Sequence, residues 1–129
     1  MLGIMRKGII LFLLSILIIH PAIAGKNKAD PNEWDFGQVK QGAVLKHDFV
    51  LKNDTDDILA INSVNTSCGC TASKAEKDSL LPHESTIIKV TFNSKGYSGE
   101  VKQYVYVHTD NADMSIIKFT IKMEMVKED

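Results

Sequence analysis

Val101-Lys102-Gln103-Tyr104-Val105-Tyr106-Val107-His108 is the stretch whose alternation decides the fold class. Val101, Val105 and Val107 share one phase, with Gln103 among them, while Lys102, Tyr104, Tyr106 and His108 occupy the other. A period of two is the pattern of a strand with one face in a core. The segment therefore has a valine face and a tyrosine face, and the face that meets the second sheet becomes core.

Working outward, the same period recurs in both directions. Downstream, Asp110-Asn111-Ala112-Asp113 turns the chain, and Ile117, Phe119, Ile121 and Met123 line one side of a final strand. Upstream, Ile88, Val90 and Phe92 alternate with Lys89 and Thr91, and Asn93 to Gly99 forms a loop with two glycines. Leu80 to Ser85 reads as a turn, and Ala72 to Ser79 as a connection or a weak short strand. Ile58 to Val64 is a strand, preceded by the polar turn Asn53 to Asp57. Leu45, His47, Phe49 and Leu51 share a face, with Val50 interrupting the polar side. Trp34, Phe36 and Val39 are expected to face the core from a first strand that ends at Lys40-Gln41-Gly42. About seven short strands and no amphipathic helix predict an all-β, immunoglobulin-like antiparallel β-sandwich.

The N-terminus has a different character. Arg6 and Lys7 precede an apolar run from Gly8 to Ile19, and Ala22 and Ala24 are small. This is the pattern of a signal peptide, with cleavage expected after Ala24. The domain boundaries that follow are a signal peptide at 1–24, a short polar leader at 25–32, the sandwich at 33–126 and a polar tail at 127–129. Removing residues 1–24 takes away two positive charges and leaves 105 residues with a net charge of −3. That balance argues against nucleic acid, which requires concentrated positive charge, and no membrane span is expected after cleavage. Export places the chain in the periplasm or outside the cell, in an oxidising compartment.

The two cysteines lie one residue apart in Asn65-Thr66-Ser67-Cys68-Gly69-Cys70-Thr71. Two such residues cannot form the long-range bridge of an immunoglobulin domain. Four readings of the pair remain open. As a nucleophile, Cys68 needs a base, for which His47, His83 and His108 are the candidates. As a thiol–disulfide centre, Cys68 and Cys70 would close a very small, strained and therefore reducible ring, although no helix start is present to activate a thiolate. As metal ligands, Cys68 and Cys70 suit Cu(I) or half of a tetrahedral Zn site, completed by a histidine or by Met114, Met123 or Met125. As structure, they form a small apolar or disulfide-bonded turn that Gly69 lets bend.

Phe36-Gly37, Gly42, Phe49, Leu51, Asn53, Ser67-Cys68-Gly69-Cys70-Thr71, Pro82, Glu84-Ser85, Val90, Phe92, Gly99 and Asn111 together resemble the bacterial exported family called domain of unknown function 1573. That family is similar to the immunoglobulin-like domains of cilia- and centrosome-associated proteins and to major sperm protein. The resemblance spans Trp34 to Met125 and implies the same sandwich fold, but it supplies no activity. Family members usually read Pro-Gly-Glu where this chain has Pro82-His83-Glu84, so the turn geometry is expected to differ here. They also tend to carry a glycine near the last strand, where this chain runs Lys122-Met123-Glu124-Met125.

Phosphate-binding, zinc-protease and serine-hydrolase motifs are absent from the sequence. The expectation is an exported, non-catalytic binding or structural module with no cofactor, whose partner is another envelope or extracellular protein. Tyr104 and Tyr106, with the loop Asn93 to Gly99, are its candidate contact surface. The alternative is a metal-binding (Cu or Zn) or thiol-redox protein acting through Cys68 and Cys70.

Overall fold

A computed structural model describes residues 29–69 and 71–127. The expected signal peptide, the first half of the leader, Cys70 and the last two residues lie outside the described residues. Eight strands follow one another: β1 (Glu33–Lys40), β2 (Val44–Lys52), β3 (Leu59–Thr66), β4 (Thr71–Ala75), β5 (Ser79–Leu80), β6 (Ser85–Asn93), β7 (Gly99–Thr109) and β8 (Ile116–Val126). They form a five-stranded sheet in the order β1-β8-β7-β3-β5 and a three-stranded sheet in the order β2-β6-β4. The pairing is antiparallel throughout, except that β1 runs parallel to β8.

The all-β sandwich stands as the alternation predicts. The Ala72 to Ser79 segment supplies most of the five-residue β4 and the start of the two-residue β5. Leu80 of β5 is completely buried, whereas Leu81 beside it is exposed, so one leucine anchors the turn and the other does not.

The core fills the space between the sheets. Phe49 and Leu51 of β2 and Ile88, Val90 and Phe92 of β6 meet Val101, Val105 and Val107 of β7 and Phe119, Ile121, Met123 and Met125 of β8. Phe49 and Phe119 touch across the gap with ring centroids 4.8 Å apart. With fourteen buried apolar side chains among the described residues, the core supplies most of the stability of a domain this small.

A bulge in β1 explains why Val39 packs against the core along with Phe36. The register to β8 slips between Asp35 and Gln38, so β1 contains one residue more than its partner over that stretch. Gly37 within it has φ of 71°, a conformation that side chains with a Cβ rarely adopt. Without the extra residue Val39 would point away from the core. Trp34 departs from the expectation of core packing. It is 44% exposed, on the last strand of its sheet, where the indole stacks on His47 and meets Phe36 edge-on.

Candidate functional site

The cysteine stretch is the corner at which the chain leaves one sheet for the other. β3 belongs to the five-stranded sheet and β4 to the three-stranded one, and only Ser67 to Cys70 separate them. So short a crossing needs its backbone groups satisfied locally. The Thr66 hydroxyl lies 3.0 Å from both the Cys68 and the Thr71 carbonyl oxygens, and the Thr71 amide donates to the Cys68 carbonyl at 3.3 Å.

Cys68 is disulfide-bonded and half-buried against the core. The sequence holds one other cysteine, Cys70, which lies outside the described residues. A disulfide sulfur carries no proton, so in the 3.4 Å contact between Cys68 Sγ and Thr71 Oγ1 the hydroxyl is the donor.

The corner is tied to the tyrosine strand. The Ser67 amide donates to the Tyr104 carbonyl at 2.9 Å, and the Tyr104 amide donates to Ser67 Oγ at 3.0 Å. Ser67 Oγ also hydrogen-bonds the Gln103 side-chain carbonyl. The cysteine corner and the tyrosine face, which share no sequence neighbourhood, are thus contiguous in space.

On β7 the valines are buried and the tyrosines are not. Val101, Val105 and Val107 face the second sheet, so Tyr104 and Tyr106 lie on the outer face of the five-stranded sheet, each half-exposed. Their ring centroids are 6.3 Å apart, and the Lys118 ammonium sits 5.1 Å from the Tyr104 centroid. Across the ladder, Asn65 of β3 and Lys118 of β8 flank Tyr106. The result is an aromatic patch within a polar rim.

The histidines are dispersed. His47 lies on β2 at the open side of the sandwich, its imidazole stacked on Trp34 of the opposite sheet at 4.3 Å and 10°. Phe49 meets it edge-on at 4.6 Å. Burial lowers its pKa below the ordinary 6.5, and neighbouring Asp48 partly opposes that shift. His83 occupies the β5–β6 turn beside Asp56, at 3.4 Å, and His108 stands on β7. Among the described residues no three His, Cys, Asp or Glu side chains come together as a metal site. Met123 and Met125 are buried in the core, where their thioethers serve packing.

Sequence reasoning passed over two elements of this arrangement, Thr66 and the Trp34–His47 stack. A Thr two residues before a Cys has no distinctive pattern, and residues of opposite sheets carry no sequence link.

A family model described as a protein of unknown function, DUF1573, matches residues 28–125. The chain belongs to this family. Solved structures place its fold. The DUF1573 chain is similar to a protein of unknown function from Porphyromonas gingivalis W83, at 16% identity and a TM-score of 0.63. That match covers 72% of this chain and 44% of the Porphyromonas one, so the present chain spans less than half of that protein. The chain is also similar to the human CEP192 ASH/PapD-like domain 7, at 11% identity and a TM-score of 0.56, over 76% of this chain and 83% of that domain. The secreted serine protease VesC from Vibrio cholerae matches at 10% identity and a TM-score of 0.56, over 70% of this chain and 21% of its own. At such identities the likeness shows the PapD-like, immunoglobulin-like sandwich and carries no activity with it. No curated protein matches the DUF1573 chain.

Proposed function

We propose that this DUF1573 protein is an exported, non-catalytic binding module that engages another envelope or extracellular protein through the outer face of its five-stranded sheet. The observation that carries this reading is the outward tyrosine pair, Tyr104 and Tyr106, on a strand whose opposite face is committed to the core. Tyrosines present large contact area at low entropic cost, and a polar rim of Lys118, Asn65 and Ser67 supplies hydrogen-bonding groups around them. A catalytic centre would need groups gathered at one place, and the three described histidines stand on separate elements.

The test uses covalent crosslinking of envelope fractions with wild-type protein and with the Tyr104→Ser/Tyr106→Ser double variant. The wild type is expected to crosslink to a protein that the double variant leaves behind, at unchanged melting temperature. Identical crosslinking by both would reject this face. Export is checked on the same preparation by intact mass, which should correspond to a chain starting at Gly25.

A second reading is favoured by the disulfide at Cys68. We infer that the pair works as a covalent staple of the sheet crossing, or as a slow thiol–disulfide centre, rather than as a Cu or Zn clamp, because an oxidised sulfur is a poor ligand. Purified protein that carries a stoichiometric metal would reverse this preference.

A further inference from the structure

The sandwich has four edge strands, and three of them are poorly suited to further pairing. β1 is interrupted by its bulge, β5 is two residues long, and β4 is five. β2 differs: it runs nine residues, and its register with β6 is continuous from Val44 to Lys52. A long, regular, proline-free edge is a template for another strand.

The direction of its free backbone groups follows from the bonds that bracket the ladder. The Ser94 amide donates to the Ala43 carbonyl at 3.1 Å, and the Asn53 amide donates to the Glu84 carbonyl at 2.9 Å. Hydrogen-bonded and non-bonded positions alternate along an antiparallel pair. Leu45, His47, Phe49 and Leu51 therefore direct their amides and carbonyls at β6, and Val44, Lys46, Asp48, Val50 and Lys52 direct theirs outward.

These outward residues complement themselves. Val44 and Val50 are 56% and 58% exposed, and neither Lys46 nor Asp48 has an ion-pair partner among the described residues. All four are placed symmetrically about His47. We infer that β2 pairs with β2 of a second copy of this chain, antiparallel, about a two-fold axis at His47.

In that register Val44 of each copy opposes Val50 of the other, and Lys46 opposes Asp48, so both pairs occur twice. Leu45 faces Phe49, and the two three-stranded sheets merge into one of six strands. A one-residue shift would pair outward-pointing groups with inward-pointing ones. A two-residue shift sets either Lys46 against Lys46, with Val44 opposite Asp48 and Val50 opposite Gly42, or Asp48 against Asp48, with Val50 opposite Lys46 and Val44 opposite Lys52. The backbone bonds and the valine contacts hold the strands together, while the charges choose the register. The tyrosine face belongs to the other sheet, so each copy keeps it free, and the pair becomes bivalent for a partner.

Charge exchange tests this register. Protein purified from cells expressing the full coding chain is compared by sedimentation equilibrium with Lys46→Asp, Asp48→Lys and the variant carrying both exchanges. Wild type and the doubly exchanged variant should have the mass of two chains. Each single variant, with like charges facing across the axis, should fall to the mass of one. An equimolar mixture of the two singles should return to the mass of two, since a chain acidic at both positions then faces one basic at both. Melting curves confirm that all are folded. A wild type with the mass of one chain, or single variants that keep the mass of two, would overturn the proposal, and neither result bears on the Tyr104/Tyr106 face.

Discussion

Asn53 is an amide with no exposed surface whose every polar group is used. Its side-chain amide donates to the carbonyls of Asp57, Leu80 and Leu81 at 2.8, 3.2 and 3.1 Å, and its side-chain oxygen accepts from the Thr55 amide and hydroxyl at 3.0 and 2.7 Å. Its backbone carbonyl receives the His83 amide at 2.8 Å. One residue thus pins the β2–β3 loop to the β5–β6 turn, and its removal strands several groups away from water. Asn53→Ala should lower unfolding free energy by about 2–3 kcal/mol, measured by urea denaturation. An Asn in an Asn-Asp-Thr-Asp-Asp run reads as a turn residue, and only the burial of Leu80 beside it makes it a keystone.

His83 shows the reverse relation between sequence and structure. The chain keeps a positive φ of 64° at this position although glycine is replaced. Pro82 precedes it, and the Glu84 amide closes the turn on the Leu81 carbonyl at 3.0 Å, the pattern of a type II turn. The turn takes the geometry that glycine favours at its third position, and a side chain sits in it under strain. The His83 amide, held on the Asn53 carbonyl, helps to set the backbone of the turn. His83→Gly should raise stability by about 0.5–1 kcal/mol, and a melting curve that moves down would refute the strain argument.

Among elements, the β3–β4 crossing depends most on a single hydroxyl. The single Thr66 hydroxyl proton is shared between the Cys68 carbonyl of the four-residue connection and the Thr71 carbonyl at the start of β4. Thr66→Val keeps the side-chain shape and removes the donor, and it should cost about 1–2 kcal/mol, whereas Thr66→Ser should recover most of that loss in the same denaturation assay. β1 is the second informative element. Its alternation is readable from Trp34 to Phe36, but the phase of Val39 depends on the Gly37 bulge, which forms against β8 and is invisible in a local pattern.

For the whole molecule, the Trp34–His47 stack bridges the two sheets along their open side, and it gives stability a pH dependence. Burial lowers the His47 pKa in the folded state, so below about pH 6.5 the unfolded chain binds the proton more readily than the folded one. Stability is full above that pH and declines as pH falls toward the depressed folded value, levelling off beneath it. Replacing His47 by Phe should flatten this part of the profile of melting temperature against pH. A slope unchanged in His47→Phe would assign it to other groups.

The sequence by itself determined the all-β class, the positions of the long strands and the valine core of β7. Period-two alternation is a local consequence of a pleated backbone with one buried face, and it survives without knowledge of any partner. The family, matched over residues 28–125, was likewise legible in the linear sequence. Only the tertiary structure decided that this motif is the crossing between sheets, that Tyr104 and Tyr106 point outward beside it, and that Trp34 stacks on His47. Each of these depends on which strands become neighbours, a matter settled by burial of the whole core at once rather than by any stretch read alone.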